Sequence, residues 1–170
     1  MFTVVETASP QQFRNRTVEF LMEKIQAAQR DHGVCIIGLS GGSTPRAVYE
    51  ELGMQNAHLP DGQAKFKIQN WKNVRLFLVD ERYVPLDHPE SNQRLVRETL
   101  LKNLPTPEEN LVFPKTELPI DECIVDYSRR LKVLWKDRLP YLVILGMGTD
   151  GHIASLFPPL SDLALDDERL

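Results

Sequence analysis

The sequence predicts an α/β domain: a mostly parallel sheet flanked by helices, Rossmann-like and three-layered. Three observations lead there. Helical patterns alternate with short apolar runs along the chain. The first run, residues 34–39, is apolar throughout, which suits a strand covered on both faces. Three of the runs open into loops dense in glycine or charged side chains, and open α/β sheets bind ligands outside the carboxyl ends of their strands. At 170 residues the chain is read as one domain, 1–170, large enough to bury a core.

Residues Thr3, Val4 and Val5 read as a short edge strand. Ser9-Pro10-Gln11-Gln12 reads as a helix start: a serine cap, proline at the first helical position and glutamine at the capping-box position. Phe13, Thr17, Phe20, Leu21, Ile25 and Ala28 recur at helical spacing, and Asp31-His32-Gly33 ends the helix. After the strand at 34–39, Thr44 is expected to cap a helix that begins at Pro45 and turns Val48, Tyr49 and Leu52 inward. Residues 53–73 carry a poor pattern and read mainly as loop.

A second strand covers 74–80. A loop with Pro85 and Pro89 follows, then Ser91 caps a helix carrying Leu95, Val96, Thr99 and Leu100, which Pro105 and Pro107 stop. Residues 111–113 suit a small strand. A helix over 120–138 is expected to set Ile124, Tyr127, Leu131, Leu134 and Trp135 on one side. The last pattern is a strand at 142–145, a glycine-rich turn, and a short helix cut off by Pro158-Pro159. The tail from 161 to 170 does not read as a natural final element. A sheet that ends on a central-type strand leaves an open edge, so the fold is expected to be truncated at its C-terminus.

Composition narrows the function. The hydrophobic fraction is 42%, the charged fraction 26% and the net charge −4, which argues against disorder and against nucleic acid as a main partner. No run approaches the ~20 apolar residues that cross a bilayer, and the N-terminus shows no signal-peptide pattern. Cys35 and Cys123 form no CxxC and suit a reducing compartment. The expectation is a cytoplasmic protein with no membrane partner; its oligomeric state is open.

Chemistry gathers at the three strand exits. Ser40-Gly41-Gly42-Ser43-Thr44-Pro45 offers backbone amides, hydroxyls and a helix N-terminus, a set that suits a phosphate, with Arg46 as added charge. Asp80-Glu81-Arg82 alone reads as a solvated turn. Beside the other two loops, Asp80 and Arg82 become candidates for orienting and neutralising a polar substrate. Gly146-x-Gly148-x-x-Gly151 matches the dinucleotide fingerprint, but no second strand follows, and Asp150 would repel a pyrophosphate. The better reading is a mount for Asp150 and His152, the imidazole taking a proton from water while a carboxylate holds its tautomer. His32, His58 and His88 carry no such company and read as structural or surface residues. No metal-binding pattern, P-loop or nucleophile elbow is present, so no metal site is expected.

Together these segments resemble the 6-phosphogluconolactonase family. They are Gly38-Leu39-Ser40-Gly41-Gly42-Ser43-Thr44-Pro45, Val79-Asp80-Glu81-Arg82-Tyr83-Val84-Pro85 with Ser91-Asn92 after it, and Leu145-Gly146-Met147-Gly148-Thr149-Asp150-Gly151-His152-Ile153-Ala154-Ser155-Leu156-Phe157-Pro158. The related glucosamine-6-phosphate deaminases share Asp-Gly-His-Ile-Ala, but Ser155-Leu156-Phe157-Pro158 sides with the lactonases. The resemblance implies hydrolysis of 6-phosphoglucono-1,5-lactone to 6-phosphogluconate in the pentose phosphate pathway, without a cofactor. It implies that Gly41, Gly42, Ser43 and Thr44 cradle the phosphate. Arg82 would bind and neutralise the sugar phosphate, and His152 would be the general base, supported by Asp150. Thr149 stands where the family usually has proline, Tyr141 where it often has aspartate, and family chains continue past the Leu-Phe-Pro segment. A deaminase- or isomerase-like sugar-phosphate enzyme and a truncated, non-catalytic phosphosugar binder remain the alternatives.

Overall fold

A computed structural model describes residues 3–58, 68, 70–136 and 138–157, with residues 56–58 as backbone only. Its centre is a sheet of four parallel strands in the order β3-β2-β1-β4. The strands are β1 (Cys35–Leu39), β2 (Val74–Leu78), β3 (Leu111–Val112) and β4 (Leu142–Val143). Every residue of β1 is buried, as an uninterrupted apolar run in a parallel sheet requires. β1 and β2 pair in register from Cys35↔Val74 to Leu39↔Leu78, and β4 joins the other side of β1 through Ile37↔Leu142 and Gly38↔Val143.

The helices are α1 (Pro10–His32), α2 (Ser43–His58), α3 (Asn92–Glu98) and α4 (Ile120–Leu134). Parallel crossovers are right-handed, so a reversal of direction across the sheet moves the connecting helix to the opposite face. β1 to β2 to β3 runs one way through α2 and α3. The return from β3 to β4 runs the other way through α4. Accordingly Cys35, Ile37, Leu39, Leu76 and Leu78 form the main core with α1, α2 and α3. Ile36 and Phe77 face α4 through Leu134, with Leu131 and Trp135 packed alongside. Trp135 meets the Phe77 ring edge-on, at a centroid distance of 5.2 Å.

Local signals behave as read at the helix starts. Ser9 Oγ accepts from Gln12 N at 3.2 Å, Gln12 Oε1 accepts from Ala8 N, and Gly33 closes α1 at φ 76°. Ser91 Oγ accepts from Arg94 N and caps α3. Several expectations are corrected. Residues 3–5 form no strand, and Val4 and Val5 lie exposed. The buried stripe of α1 is Val18, Leu21, Met22, Ile25 and Ala28. Phe13 and Phe20 lie on its flank, and the Lys24 ammonium sits over the Phe20 ring. α2 begins at Ser43, so Thr44 lies inside it and Gly42 takes the cap position.

The 53–73 loop is also corrected, because α2 continues to His58 and a 3₁₀ turn occupies Trp71–Asn73. Gly53 is tolerated in that helix because a Cβ there would press on the carbonyls of Thr99 and Leu100, at 3.1 and 3.3 Å. The tight crossing of α2 over the end of α3 outweighs glycine's weak helix propensity. α4 ends at Leu134 rather than 138, and Ile124 is exposed while Cys123 is buried. Among the described residues β4 is an edge strand, with Val143 and Leu145 about half exposed. The expectations for residues 158–170 lie outside the described residues. No helix among the described residues is long and apolar enough to cross a membrane.

Candidate active site

The strand order places the switch point between β1 and β4, where successive connections leave in opposite directions and a crevice opens at the carboxyl ends. A cavity of about 400 Å³ lies there. It is lined by Phe13, Ser40 to Pro45, Asp80, Arg82, Leu145 to Gly148, His152 and Ala154, so all three chemistry-bearing loops contribute.

The first loop is a backbone cradle. Gly42 sits at φ 106°, a conformation L side chains rarely adopt, and its carbonyl accepts the first helical bond from Arg46 N. The amides of Ser43 and Thr44 in the first turn of α2 therefore have no helical partner, and Pro45 has no amide to lose. The positive end of the helix dipole adds to their pull on an anion. The cradle is tied down from below: the buried Tyr49 hydroxyl donates to the Ser40 carbonyl at 3.0 Å, and burial pushes the Tyr49 pKa up. Arg46 does not line the cavity. Its guanidinium faces Glu50 at 3.8 Å on the outside of α2.

In the second loop, Asp80 Oδ2 accepts from Ser155 Oγ at 2.8 Å, a bond between residues far apart in sequence. Asp80 Oδ1 and Ser40 Oγ are buried without a hydrogen-bond partner among the described residues, the kind of orphaned polar atom that marks a functional pocket. Arg82 Nη1 donates to the Glu90 carbonyl at 3.2 Å and supplies the guanidinium of the cavity wall. Glu81 points away from the cavity. Its carboxylate accepts from the amides of Arg82, Asn92 and Gln93 and from the Ser91 hydroxyl, which moors the loop to the start of α3.

In the third loop, Asp150 and His152 meet: Nδ1 and Oδ1 are 2.5 Å apart, and the same carboxylate oxygen accepts from His152 N at 3.2 Å. The loop folds back so that Gly148 N donates to the His152 carbonyl at 2.8 Å. A Cβ on Gly148 would lie 2.2 Å from His152 Nδ1 and 2.6 Å from Asp150 Oδ1, so the pair rests directly on that glycine. Phe157 packs against the imidazole with centroids 4.5 Å apart. The His152 side-chain bond, then its backbone amide, hold the Asp150 carboxyl below the usual carboxylate range. A carboxylate accepting from Nδ1–H leaves Nε2 as the free acceptor of the neutral ring.

The expected short helix after this loop does not form. Residues 152–157 make isolated bridges between Met147 and Ile153 and between Ile153 and Leu156. Ala154 sits at φ 53°, a left-handed conformation incompatible with a continuing helix. That turn carries Ser155 to Asp80. Seven expected residues thus line one cavity: Gly41, Gly42, Ser43, Thr44, Asp80, Arg82 and His152. Asp150 stands behind His152, outside the lining. Ser40, from the expected phosphate loop, lines the cavity too, whereas Phe13, Ala154 and Ser155 carry no sequence signal for the site. A hydroxyl or a rim phenyl carries no pattern of its own until the loops converge. No group of three His, Cys, Asp or Glu residues placed to hold a metal ion occurs among the described residues.

Fold and loops define a parallel α/β protein whose polar machinery sits at the switch point of its sheet. The family model described as glucosamine-6-phosphate isomerases/6-phosphogluconolactonase matches residues 8–170, and the chain belongs to that family. A probable 6-phosphogluconolactonase of Dictyostelium discoideum is 37% identical over 96% of this chain and 66% of its own length. The solved 6-phosphogluconolactonase of Plasmodium vivax is 33% identical with a TM-score of 0.76, over 89% of this chain and 50% of that one. The crystal structure of the Thermotoga maritima 6-phosphogluconolactonase is 34% identical with a TM-score of 0.71, over 85% of this chain and 60% of that one. The chain thus spans less than two thirds of the length of these relatives.

Proposed function

We propose that this chain carries the site for hydrolysis of 6-phospho-D-glucono-1,5-lactone to 6-phospho-D-gluconate, a step of the pentose phosphate pathway. The observation that carries the proposal is the 2.5 Å contact between His152 Nδ1 and Asp150, at the wall of the same cavity that Gly41 to Thr44 line. The amides of Ser43 and Thr44 hold the phosphate, and Arg82 neutralises charge on the sugar phosphate. Asp80 accepts from substrate hydroxyls.

His152 Nε2 takes a proton from water as the water oxygen bonds to the lactone carbonyl carbon. The bond from that carbon to the ring oxygen then breaks, and the imidazolium returns its proton to the leaving oxygen. Asp150 stabilises the imidazolium in between, so lactone and water are fully accounted for in the hydroxy acid. Relatives bearing the lactonase name, at 33–37% identity, support the substrate. The reading carries a cytoplasmic location with it, supported by the free, buried thiols of Cys35 and Cys123.

The test is a coupled assay of lactone hydrolysis on the chain and on His152→Ala. The expected result is a loss of about 10²–10⁴-fold in kcat. Equal rates for the two refute catalysis. A second reading, a non-catalytic phosphosugar binder, rests on the backbone cradle at Gly41 to Thr44, which can hold a phosphate without His152. It is the correct one if neither protein turns over substrate while 6-phosphogluconate still binds.

A further inference from the structure

Between the first and second loops stands a side chain that touches both and is not itself part of the cavity wall. Asn92, the first residue of α3, is 2% exposed. Its Nδ2 donates to the Asp80 carbonyl at 3.0 Å. Its Oδ1 lies against the Gly41 backbone so closely that a Cβ on Gly41 would sit 1.8 Å from it. Its own amide is held by Glu81 Oε1 at 2.7 Å, and the neighbouring Gln93 amide by Glu81 Oε2 at 2.8 Å.

We infer that Asn92 is a positioning residue: its side-chain amide is the spacer that sets the separation between the backbone cradle at Gly41 and the Asp80–Arg82 loop. The inference rests on the proposed reading of the cavity as a phosphosugar site, because only a ligand with two ends feels that separation. A phosphate alone occupies the cradle. A phosphorylated polyol must reach from the cradle to Asp80 at once, and an error of about 1 Å in the gap weakens one end or the other. Glu81 explains why the spacer is rigid. Its carboxylate fixes the backbone on which Asn92 stands and also accepts from Arg82 N at 2.8 Å, so both the loop and the spacer hang from the same group.

The steric contact makes the inference testable. Inorganic phosphate and 6-phosphogluconate are titrated calorimetrically into the wild type, Asn92→Ala, Gly41→Ala and the double variant. Asn92→Ala is expected to weaken 6-phosphogluconate at least tenfold while inorganic phosphate stays within twofold. A merely structural role would weaken both together, and that outcome, or no change in either, overturns the inference. Gly41→Ala is expected to weaken both ligands, with much of the phosphate affinity returning in the double variant, where the obstructing amide is gone. Equal losses from Gly41→Ala in the two backgrounds also overturn it. If the wild type fails to bind 6-phosphogluconate, the proposed function falls instead. The spacer contact is then judged from melting temperature: Gly41→Ala must lower Tm less in the Asn92→Ala background than in the wild type, and an equal drop refutes the contact.

Discussion

Gly148→Ala tests the proposed catalytic pair without touching either member. The glycine's φ lies outside the left-handed region, so alanine is acceptable to the backbone and the effect is steric. The new Cβ would stand 2.2 Å from Nδ1 and Cε1 of His152, against an ordinary contact of at least 3.4 Å. The ring must retreat by about 1.2 Å, and Phe157 and the Asp150 bond oppose that movement. A displacement of about 1 Å in a catalytic group costs ~10²-fold in rate, about 2.7 kcal/mol of barrier. The expected outcome is a kcat about 100-fold lower in the coupled lactonase assay, with KM little changed because the phosphate cradle is untouched. The imidazole ¹⁵N shifts of His152 should move away from the Nδ1–H tautomer, a readout independent of turnover. A kcat within threefold of wild type together with unchanged ¹⁵N shifts would refute the reasoning.

Gly33→Ala forces a Cβ into the φ 76° turn that ends α1, with no contact within 4 Å to compensate. It should cost about 1 kcal/mol, read as a Tm lower by ~2–4 °C, and an unchanged Tm contradicts it. Tyr127→Phe removes the hydroxyl that donates to the Leu78 carbonyl at the end of β2, leaving that carbonyl unsatisfied under α4. A loss of about 1–3 kcal/mol is expected from urea unfolding, and a midpoint at the wild-type value argues against that anchoring role.

Asp126 is paired with Arg129, Arg130 and Lys115. Arg129 first, then Arg130 and Lys115, hold its carboxyl below the usual range in spite of desolvation. A folded pKa below the unfolded value gives stability that is present above the ordinary carboxylate pKa, about 4, and is lost as the pH falls through the native value. The wild type should therefore lose more stability than Asp126→Asn between pH 6 and pH 3. A constant difference across that range goes against the pairing.

The local signals were legible because their causes are local. Ser9, Ser91 and Gly33 act within one helical turn, and their capping roles followed from sequence alone. The same holds for β1, whose apolar run has one economical interpretation. Expectations failed where a distant element decides. Phe13 and Phe20 fit the helical period of α1, yet the face that meets the sheet is the one carrying Val18, Leu21 and Met22. Residues 53–73 read mainly as loop, but α2 runs on through Gly53, where the carbonyls of Thr99 and Leu100 come too close for a side chain. Residues 152–157 looked helical, but Ala154 turns left-handed.

The sequence by itself determined the α/β class, the parallel strands and the three loops that carry the chemistry, because periodicity and glycine placement constrain backbone locally. Which of those residues share a cavity was decided only by the tertiary structure. The strand order β3-β2-β1-β4 brings the loops after β1 and β4 to one crevice and sets Asp80 beside them. The same order leaves Arg46 outside on α2 and delivers Ser155 to Asp80, and Asn92 to Gly41. Those contacts join positions far apart in the chain, and no local pattern encodes a distance that exists only after the sheet has assembled.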